Sequence, residues 1–138
     1  MDFVLDCSAT MPWILANDES GYTDDVLHAL AGLTAVVPAI WPLEVANVLL
    51  VFERKQRISS RHSTTFMHAL VQLPITAEST PQGRIFGRIY ELGDEYSLSA
   101  YDAAYLEVCL RHEIPLATLD NRLRHVARAS GAGIFGSS

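Results

Sequence analysis

The amino-acid sequence predicts an α/β domain with a mostly parallel central sheet of about four or five strands, flanked by helices. Short apolar segments alternate with longer segments whose apolar residues recur at helical spacing, which is typical of a parallel sheet with helical crossovers. The chain has 138 residues, the usual size of one domain. Hydrophobic residues make up 49% and charged residues 19%, so the chain can bury a core. We therefore expect residues 1–138 to form a single domain.

Five short segments are predicted to be strands because each contains a brief run of apolar residues. Residues 2–6 (Asp-Phe-Val-Leu-Asp) are typical of a buried strand, and residues 133–135 (Gly-Ile-Phe) of a last strand at the edge of the sheet. The predicted strands cover residues 2–6, 34–38, 75–76, 115–119 and 133–135.

Start and stop signals place helices between these strands. Ser8 is predicted to be the N-cap of a short first helix, and Gly32 ends the second. Pro42 fits the first turn of its helix, and Ser99 and Asp120 are suitable N-caps for the last two. After the short first helix, the predicted helices cover about residues 21–31, 41–56, 60–71, 80–92, 99–112 and 120–129.

The chain is acidic, with a formal net charge of −6, whereas proteins that bind nucleic acid by bulk electrostatics are usually basic. Lys55 is the single lysine among the 10 lysine and arginine residues. Arginine suits bidentate contacts with phosphate better than lysine does. An acidic chain that is rich in arginine can therefore still bind a phosphodiester locally.

The cysteines and the apolar segments exclude several other classes of protein. Cys7 and Cys109 lack the CxxC spacing of zinc knuckles, and we expect both to be reduced thiols. No apolar run approaches the roughly 18 residues that a membrane span requires. The N-terminus lacks the basic start and the apolar stretch of a signal peptide, so the expected location is the cytoplasm, with no membrane partner.

Four carboxylates stand where predicted strands end or predicted helices begin: Asp6, Glu44, Asp102 and Asp120. Each has an ordinary structural explanation when taken alone, as a turn residue, a charge favourable to a helix N-terminus, or a helix cap. Asp102 also follows Ser99 by three residues, as in a capping box. In a parallel α/β sheet, however, these junctions fall at one edge. We therefore expect the four acids to converge.

Converging ionised carboxylates repel one another, and such a site is costly without a cation. Mg²⁺ and Mn²⁺ take oxygen ligands and keep waters for a substrate phosphate, so they fit this set better than zinc. The favoured chemistry is hydrolysis of a phosphodiester by a metal-activated water. Asp6 and Asp102 are the first choices as direct ligands. Glu44 and Asp120 either ligate the ion directly, bind it through water, or orient the attacking water.

Four segments of the sequence carry a family resemblance in their order and spacing: VLDCSA at 4–9, PLEVANVL at 42–49, LSAYDAAYL at 98–106 and LATLDNRL at 116–123. The chain resembles the PIN-domain family, and specifically the VapC-type toxins of toxin–antitoxin pairs. The resemblance implies a Rossmann-like domain and an endoribonuclease that depends on Mg²⁺ or Mn²⁺. It places the family's acids at Asp6, Glu44, Asp102 and Asp120, and it implies a cognate antitoxin partner, an RNA substrate and a homodimer.

Several polar residues are candidates to support these acids. Ser8 and Thr118 are placed to hydrogen-bond the metal ligands, although helix capping and strand polarity explain them equally well. Asn47 lies one helical turn from Glu44 and can bond to it, or can simply be solvated. Asn121 is either an additional polar ligand or a helix-capping residue.

Three arginines are candidates for RNA contacts. Arg84 and Arg88 are spaced i, i+4, so both guanidinium groups can meet one phosphate, although a charged solvent face is the simpler interpretation. Arg122 lies on the last helix, where it can line the approach of RNA or complement the charge at the C-terminus of that helix.

Two alternative functions remain open at this point. An aspartate that ends the first strand also suggests a haloacid-dehalogenase-like phosphatase, but that family has a second aspartate two residues later, where this chain has Ser8. A catalytically inactive PIN binding module is the other alternative. The presence of all four acids argues against it.

Overall fold

Within residues 1–136, which the computed structural model describes, four strands form a sheet in which every pair of neighbours is parallel. The strands are β1 (Phe3–Leu5), β2 (Ala35–Pro38), β3 (Ile75–Glu78) and β4 (Leu116–Ala117). Their order across the sheet is β3-β2-β1-β4. The α/β class, the parallel sheet and its size are therefore as predicted.

The strand order creates a switch point beside β1. The chain runs outward from β1 through β2 to β3, and then returns to place β4 on the other side of β1. Val4 is in register with Val36 of β2 and with Leu116 of β4. In open α/β sheets, ligands bind beyond the carboxyl ends of the strands at such a point. The ends of β1 and β4 therefore mark the expected position of a site.

Nine α-helical segments and one π-helical turn connect and cover the strands in the described part of the chain. The helices are α1 (Cys7–Thr10), α2 (Pro12–Leu15), α3 (Tyr22–Ala29), α4 (Ile40–Arg54), α5 (Ser60–Gln72), α6 (Gln82–Arg84), α7 (Tyr90–Tyr96), α8 (Ala100–His112) and α9 (Asn121–Ala129). The π-helical turn, Ile85–Ile89, joins α6 to α7.

Several segments differ from their predictions, and β4 covers only Leu116–Ala117 of the predicted strand at 115–119. Asp6, not Ser8, is the N-cap of α1, because β1 ends at Leu5 and the helix begins at once. The helix predicted over residues 80–92 extends to Tyr96 and contains the π-helical turn. The predicted strand at 133–135 is reduced to a single parallel bridge between Ile134 and Leu116.

The core lies between the sheet and its helices. Phe3, Val4 and Leu5 are completely buried, and so are Leu116 and Ala117 of β4. β1 and β4 are therefore covered on both faces, as expected for strands of a parallel sheet with helices on both sides. Cys7 and Cys109 are buried free thiols. Across residues 1–136, no helix is both long enough and apolar enough to span a membrane.

Candidate active site

Three of the four predicted acids lie at element junctions, and Glu44 lies one turn further into its helix. Asp6 follows β1 and is the N-cap of α1. Asp120 follows β4 and is the N-cap of α9. Glu44 lies in the second turn of α4, and Asp102 in the first turn of α8.

The carboxylate of Asp6 is buried and is held by two hydroxyl groups. Ser8 Oγ donates to Asp6 Oδ2 at 2.6 Å, and Thr118 Oγ1 donates to the same oxygen at 2.7 Å. The two hydroxyl oxygens lie 3.0 Å apart. Because each hydroxyl has one proton and both protons are directed at Asp6, this close approach is set by the shared acceptor.

The same hydroxyls accept hydrogen bonds from the chain that follows β4. The backbone N–H of Leu119 donates to Ser8 Oγ at 2.9 Å, and that of Asp120 donates to Thr118 Oγ1 at 3.1 Å. The hydroxyls thus connect the end of β1 to the start of α9. This connection fixes Asp6 relative to the turn that carries Asp120.

Glu44 has a partner that the sequence analysis did not identify. The buried Tyr105 donates from its hydroxyl to Glu44 Oε1 at 2.6 Å. Tyr105 lies on α8, three residues after Asp102, so it faces the same side of the helix. The spacing of three residues from Asp102 is the sequence feature from which Tyr105 could have been identified.

A second pair of residues, which the sequence did not indicate, connects two of the elements that carry the acids. Trp41 Nε1 on α4 donates to Thr10 Oγ1 at 3.1 Å, and Thr10 Oγ1 donates to the backbone oxygen of Asp6 at 3.1 Å. Both residues are buried. The chain of bonds links the helix that carries Glu44 to the strand end that carries Asp6.

Two of the acids are tied to the ends of their helices. The backbone N–H of Asp102 donates to Ser99 Oγ at 3.1 Å, which caps α8. Asp120 Oδ1 accepts from the backbone N–H of Leu123 at 3.0 Å, which caps α9. The bond to Asp120 uses one carboxylate oxygen only.

The four carboxylates interact electrostatically as a set. Burial raises the pKa of Asp6, and the charge of Asp120 raises it further. Burial also raises the pKa of Glu44, and the charges of Asp6 and Asp102 add to this. The pKa of Asp102 is raised by burial and by the charges of Asp6 and Asp120, while the charge of Arg122 opposes the shift. Each acid is therefore linked by charge repulsion to at least one of the other three.

The same electrostatic environment keeps a neighbouring thiol neutral. Burial raises the pKa of Cys7 to about 12, with further contributions from the charges of Glu44 and Asp6. A thiol with such a pKa is a poor nucleophile and a poor metal ligand near neutral pH. Cys7 therefore contributes packing beside the acids.

The donor set suits a hard divalent cation, because all four acidic groups offer carboxylate oxygens and repel one another. In residues 1–136, no three Asp, Glu, His or Cys side chains are gathered closely enough to enclose a metal ion. This spacing is compatible with Mg²⁺, which is commonly bound through one or two carboxylates and keeps several waters. The residues therefore fit such an ion without forming a closed cage.

The remaining predicted residues occupy varied positions. Asn47 is exposed and lines an open groove with Glu44, Leu43, Ile40 and Tyr101. Asn121 is the exposed first residue of α9, next to the actual cap.

The three predicted arginines already have partners within the chain. Arg84 Nε lies 3.8 Å from Glu107 Oε1, and Arg88 Nη1 lies 3.9 Å from Glu91 Oε2. Arg122 donates to the backbone oxygen of Ser97. The charge of Arg122 also opposes the upward shift in the pKa of Asp102. Among the three arginines, Arg122 is therefore the one with an electrostatic effect on an acid of the site.

Comparison with known proteins gives a consistent assignment of the fold. A family model described as PIN domain matches residues 3–129. A crystal structure of PAE2754 from Pyrobaculum aerophilum is similar, with a TM-score of 0.62 and 19% identity over 91% of this chain and 78% of the other. A toxin–antitoxin complex from Klebsiella pneumoniae is also similar, with a TM-score of 0.60 and 18% identity over 87% of both chains. A search of curated proteins finds no match.

Proposed function

Because this chain belongs to the PIN-domain family, we propose that it is a Mg²⁺- or Mn²⁺-dependent endoribonuclease and the toxin of a toxin–antitoxin pair. PIN domains are generally nucleases. The observation that carries the proposal is the electrostatic linkage of Asp6, Glu44, Asp102 and Asp120 at the switch point of the sheet. Such a cluster is costly in a protein that binds no cation.

We assign Asp6 and Asp102 as the direct ligands of the ion. Both have pKa values raised by burial and by nearby acids, and a cation would remove that penalty. When bound, Mg²⁺ or Mn²⁺ supplies an activated water and neutralises charge on the phosphoryl oxygens. Ser8 and Thr118 hold the Asp6 carboxylate in one orientation, which is the role that hydrogen-bonded neighbours of ligands usually have.

We assign Glu44 and Asp120 to the ion's bound waters or to the attacking water. The hydrogen bond from Tyr105 uses Oε1 of Glu44, and the helix cap uses Oδ1 of Asp120, so each side chain keeps a second oxygen for this role. A carboxylate whose pKa is raised is better matched to accepting a proton near neutral pH than one with the usual value. Burial and the nearby acids give Glu44 this property.

The similarity to a toxin–antitoxin complex supports an antitoxin partner for this chain. We propose that the antitoxin binds the chain in the cytoplasm and that the toxin forms a homodimer. Copurification with the product of the neighbouring reading frame tests the first proposal, and light scattering on the purified chain tests the second. A chain that stays unpartnered and is harmless when expressed alone would contradict the toxin assignment.

The decisive experiment is RNA cleavage by the purified chain, free of antitoxin. We expect structured RNAs to be cut in Mg²⁺ or Mn²⁺, and cutting to stop in EDTA or in the Asp6→Ala and Asp102→Ala variants. The matched control is Asp94→Ala, which removes an exposed aspartate on α7. Cleavage that persists in both site variants would refute the site assignment. Hydrolysis of small phosphomonoesters without RNA cleavage would instead favour a phosphatase, and RNA binding without any hydrolysis would favour an inactive binding module.

A further inference from the structure

We propose that the apolar cavity beside Tyr101 binds one unpaired base of the RNA, stacked on the Tyr101 ring next to the phosphate that is cut. This inference rests on the proposed function, because it assigns a binding site to the same substrate. It concerns residues outside the acidic cluster.

The cavity lies where several parts of the fold meet. It has a volume of about 330 Å³ and is lined by the end of β2, the start of α4, the residue Thr80, the π-helical turn and the first turns of α8. Pro38, Ile40, Ile85 and Ile89 form most of its apolar wall. This volume is in the range of small-ligand pockets, roughly 300–1,000 Å³, so one base fits within it.

The lining excludes a phosphate and accepts an uncharged ring. No side chain that lines the cavity carries a charge. The polar side-chain atoms of the lining are the hydroxyls of Thr80 and Tyr101. A nucleobase combines an apolar face with polar edges, which matches an apolar wall with two hydroxyls.

Tyr101 connects this cavity to the acidic site. Tyr101 and Ile40 line both the cavity and the groove that contains Glu44, so the two depressions are adjacent. Tyr101 also directly precedes Asp102 in the first turn of α8. A nucleotide next to a phosphate at the acids is therefore expected to lie near the Tyr101 ring.

The exposure of Tyr101 indicates that its ring is available for stacking. The residue is 62% exposed, although an aromatic ring of this size is usually better covered. Bases stack on aromatic side chains in proteins that bind single-stranded nucleic acid, and the base must be unpaired to leave its own stack. The position thus favours single-stranded RNA over a duplex.

The test measures RNA binding without cleavage, in Mg²⁺ and in an Asp6→Asn background. The probe is a fluorescein-labelled single-stranded RNA of about 10 nucleotides, which falls within the usual site size. Tyr101→Ala should weaken binding roughly 5- to 150-fold, the equivalent of one lost stacking interaction. Tyr101→Phe, which keeps the ring and loses only the hydroxyl, should weaken binding much less than Tyr101→Ala. Phe86→Ala, which removes an exposed aromatic residue that does not line the cavity, should bind like the parent.

A second measurement assigns the effect to a base. Replacing the bases of the probe one at a time by abasic sites should reveal one position at which Tyr101→Ala has no further effect, as expected for two groups that interact. A duplex of the same sequence should be insensitive to Tyr101→Ala.

Three outcomes would overturn the inference: no RNA binding by the parent, equal binding by Tyr101→Ala, or a change from dimer to monomer in Tyr101→Ala. The last would identify the surface as a contact between two copies, and loss of antitoxin binding with unchanged RNA binding would identify it as a protein contact. The proposed nuclease function is tested separately by cleavage in the wild-type chain. It survives if that cleavage requires Asp6 while Tyr101 has no effect.

Discussion

At the scale of single residues, the site depends on hydrogen bonds to carboxylates that burial and charge repulsion destabilise. Asp6 is buried at the cost of a raised pKa. The hydroxyls of Ser8 and Thr118 offset part of this cost, and the Tyr105 hydroxyl does the same for Glu44. A buried polar group that loses its partner costs about 1–3 kcal/mol, so each of these bonds has a measurable effect.

Tyr105→Phe should shift the pH dependence of cleavage. The hydrogen bond from Tyr105 opposes the raised pKa of Glu44, so its loss raises that pKa further and lowers the ionised fraction at a given pH. The acid limb of the rate profile should therefore move to higher pH. The rate at neutral pH should fall about tenfold, equivalent to ~1.4 kcal/mol for a bond to a charged group. Cleavage rates across a pH series measure both effects.

Tyr90→Phe is the control for this variant, because Tyr90 is an exposed tyrosine on α7. Recovery of the Tyr105→Phe rate at high pH would show that the hydroxyl acts through the ionisation of Glu44. A rate that is reduced by the same factor at every pH would mean that the hydroxyl has a structural role only.

The residues identified from the sequence are those whose position along the chain indicates a role. Asp6, Asp102 and Asp120 stand at junctions between elements, where an acidic residue has few uses other than capping or chemistry, and Glu44 lies one turn inside α4. Tyr105 and Thr10 were missed, because tyrosine and threonine inside a helix are ordinary residues until their partners are known. Their role comes from contacts between distant parts of the chain.

At the scale of elements, helix N-termini carry the site. Ser99 and Ser59 cap α8 and α5 in the same way, each accepting a hydrogen bond of 3.1 Å from a backbone N–H three residues later. α8 carries Asp102 in its capped first turn. The corresponding turn of α5 contains no acidic residue, and none of the four acids lies on that helix. The two helices therefore form a matched pair for separating stability from activity.

Ser99→Ala and Ser59→Ala should each lower the free energy of unfolding by about 1 kcal/mol, the usual cost of removing an N-cap. Only Ser99→Ala should reduce cleavage, because it loosens the turn that positions Asp102. Urea unfolding gives the first quantity and initial rates give the second. Equal loss of activity in both variants would mean that activity follows stability and not the position of Asp102.

An ion-pair network connects β3 to α8. Arg111 Nη2 lies 2.6 Å from Glu78 Oε1, and Arg111 Nε lies 2.8 Å from Glu107 Oε2. Glu107 is only 3% exposed. His112 Nε2 also contacts Glu78, at 2.6 Å. A nearly buried carboxylate of this kind depends on its partner.

Arg111→Ala should therefore destabilise the fold by about 2–3 kcal/mol. The expected loss is below the ~3–5 kcal/mol of a fully buried pair because the Arg111 side chain is 30% exposed. Arg88→Ala is the control, since Arg88 and Glu91 are more than half exposed and exposed pairs contribute only about 0–1 kcal/mol. Chemical denaturation measures both. Losses of similar size would contradict a special role for Glu107.

The boundaries of the elements show which features of the fold can be predicted from local sequence and which cannot. α4, α5, α8 and α9 begin within one or two residues of their predicted starts, because caps and apolar spacing are local signals. The π-helical turn at Ile85–Ile89 was not predicted, since an extra residue in one helical turn leaves the local composition unchanged. The predicted strand at 133–135 is reduced to one bridge because its register depends on β4, far away in sequence.

At the scale of the whole molecule, the parallel sheet brings the acids together. Asp6 and Asp120, 114 positions apart in sequence, interact electrostatically because they follow the neighbouring strands β1 and β4. The sequence predicted that the acids would share one edge, because parallel strands end on the same side. It could not predict their spacing or their hydrogen bonds, which depend on how the helices pack. The same packing sets the balance between stability and function.

The metal-free fold should become more stable when Asp6 is neutralised. The pKa values of Asp6, Glu44 and Asp102 are raised in the folded state. Their contribution to stability is therefore complete below their ordinary pKa values and is lost as the pH rises through the raised ones. In EDTA at pH 7, Asp6→Asn should increase the free energy of unfolding by about 1–2 kcal/mol while abolishing cleavage. The advantage should shrink on acidification, as Asp6 of the wild-type chain becomes protonated.

Urea unfolding of both chains across pH, with and without Mg²⁺, tests this balance. The pKa of Glu78 is lowered by Arg111 and His112, so its contribution has the opposite pH dependence, but it cancels in the comparison of the two chains. Mg²⁺ should stabilise the wild-type chain at neutral pH, by about 2.7 kcal/mol at 100 times its Kd, and Asp6→Asn much less. Asp94→Asn, on an exposed residue, should respond like the wild type. A less stable Asp6→Asn chain in EDTA would mean that the hydrogen bonds to the Asp6 carboxylate stabilise the fold more than repulsion from the other acids destabilises it. That result would contradict the proposal that the acidic site needs a cation.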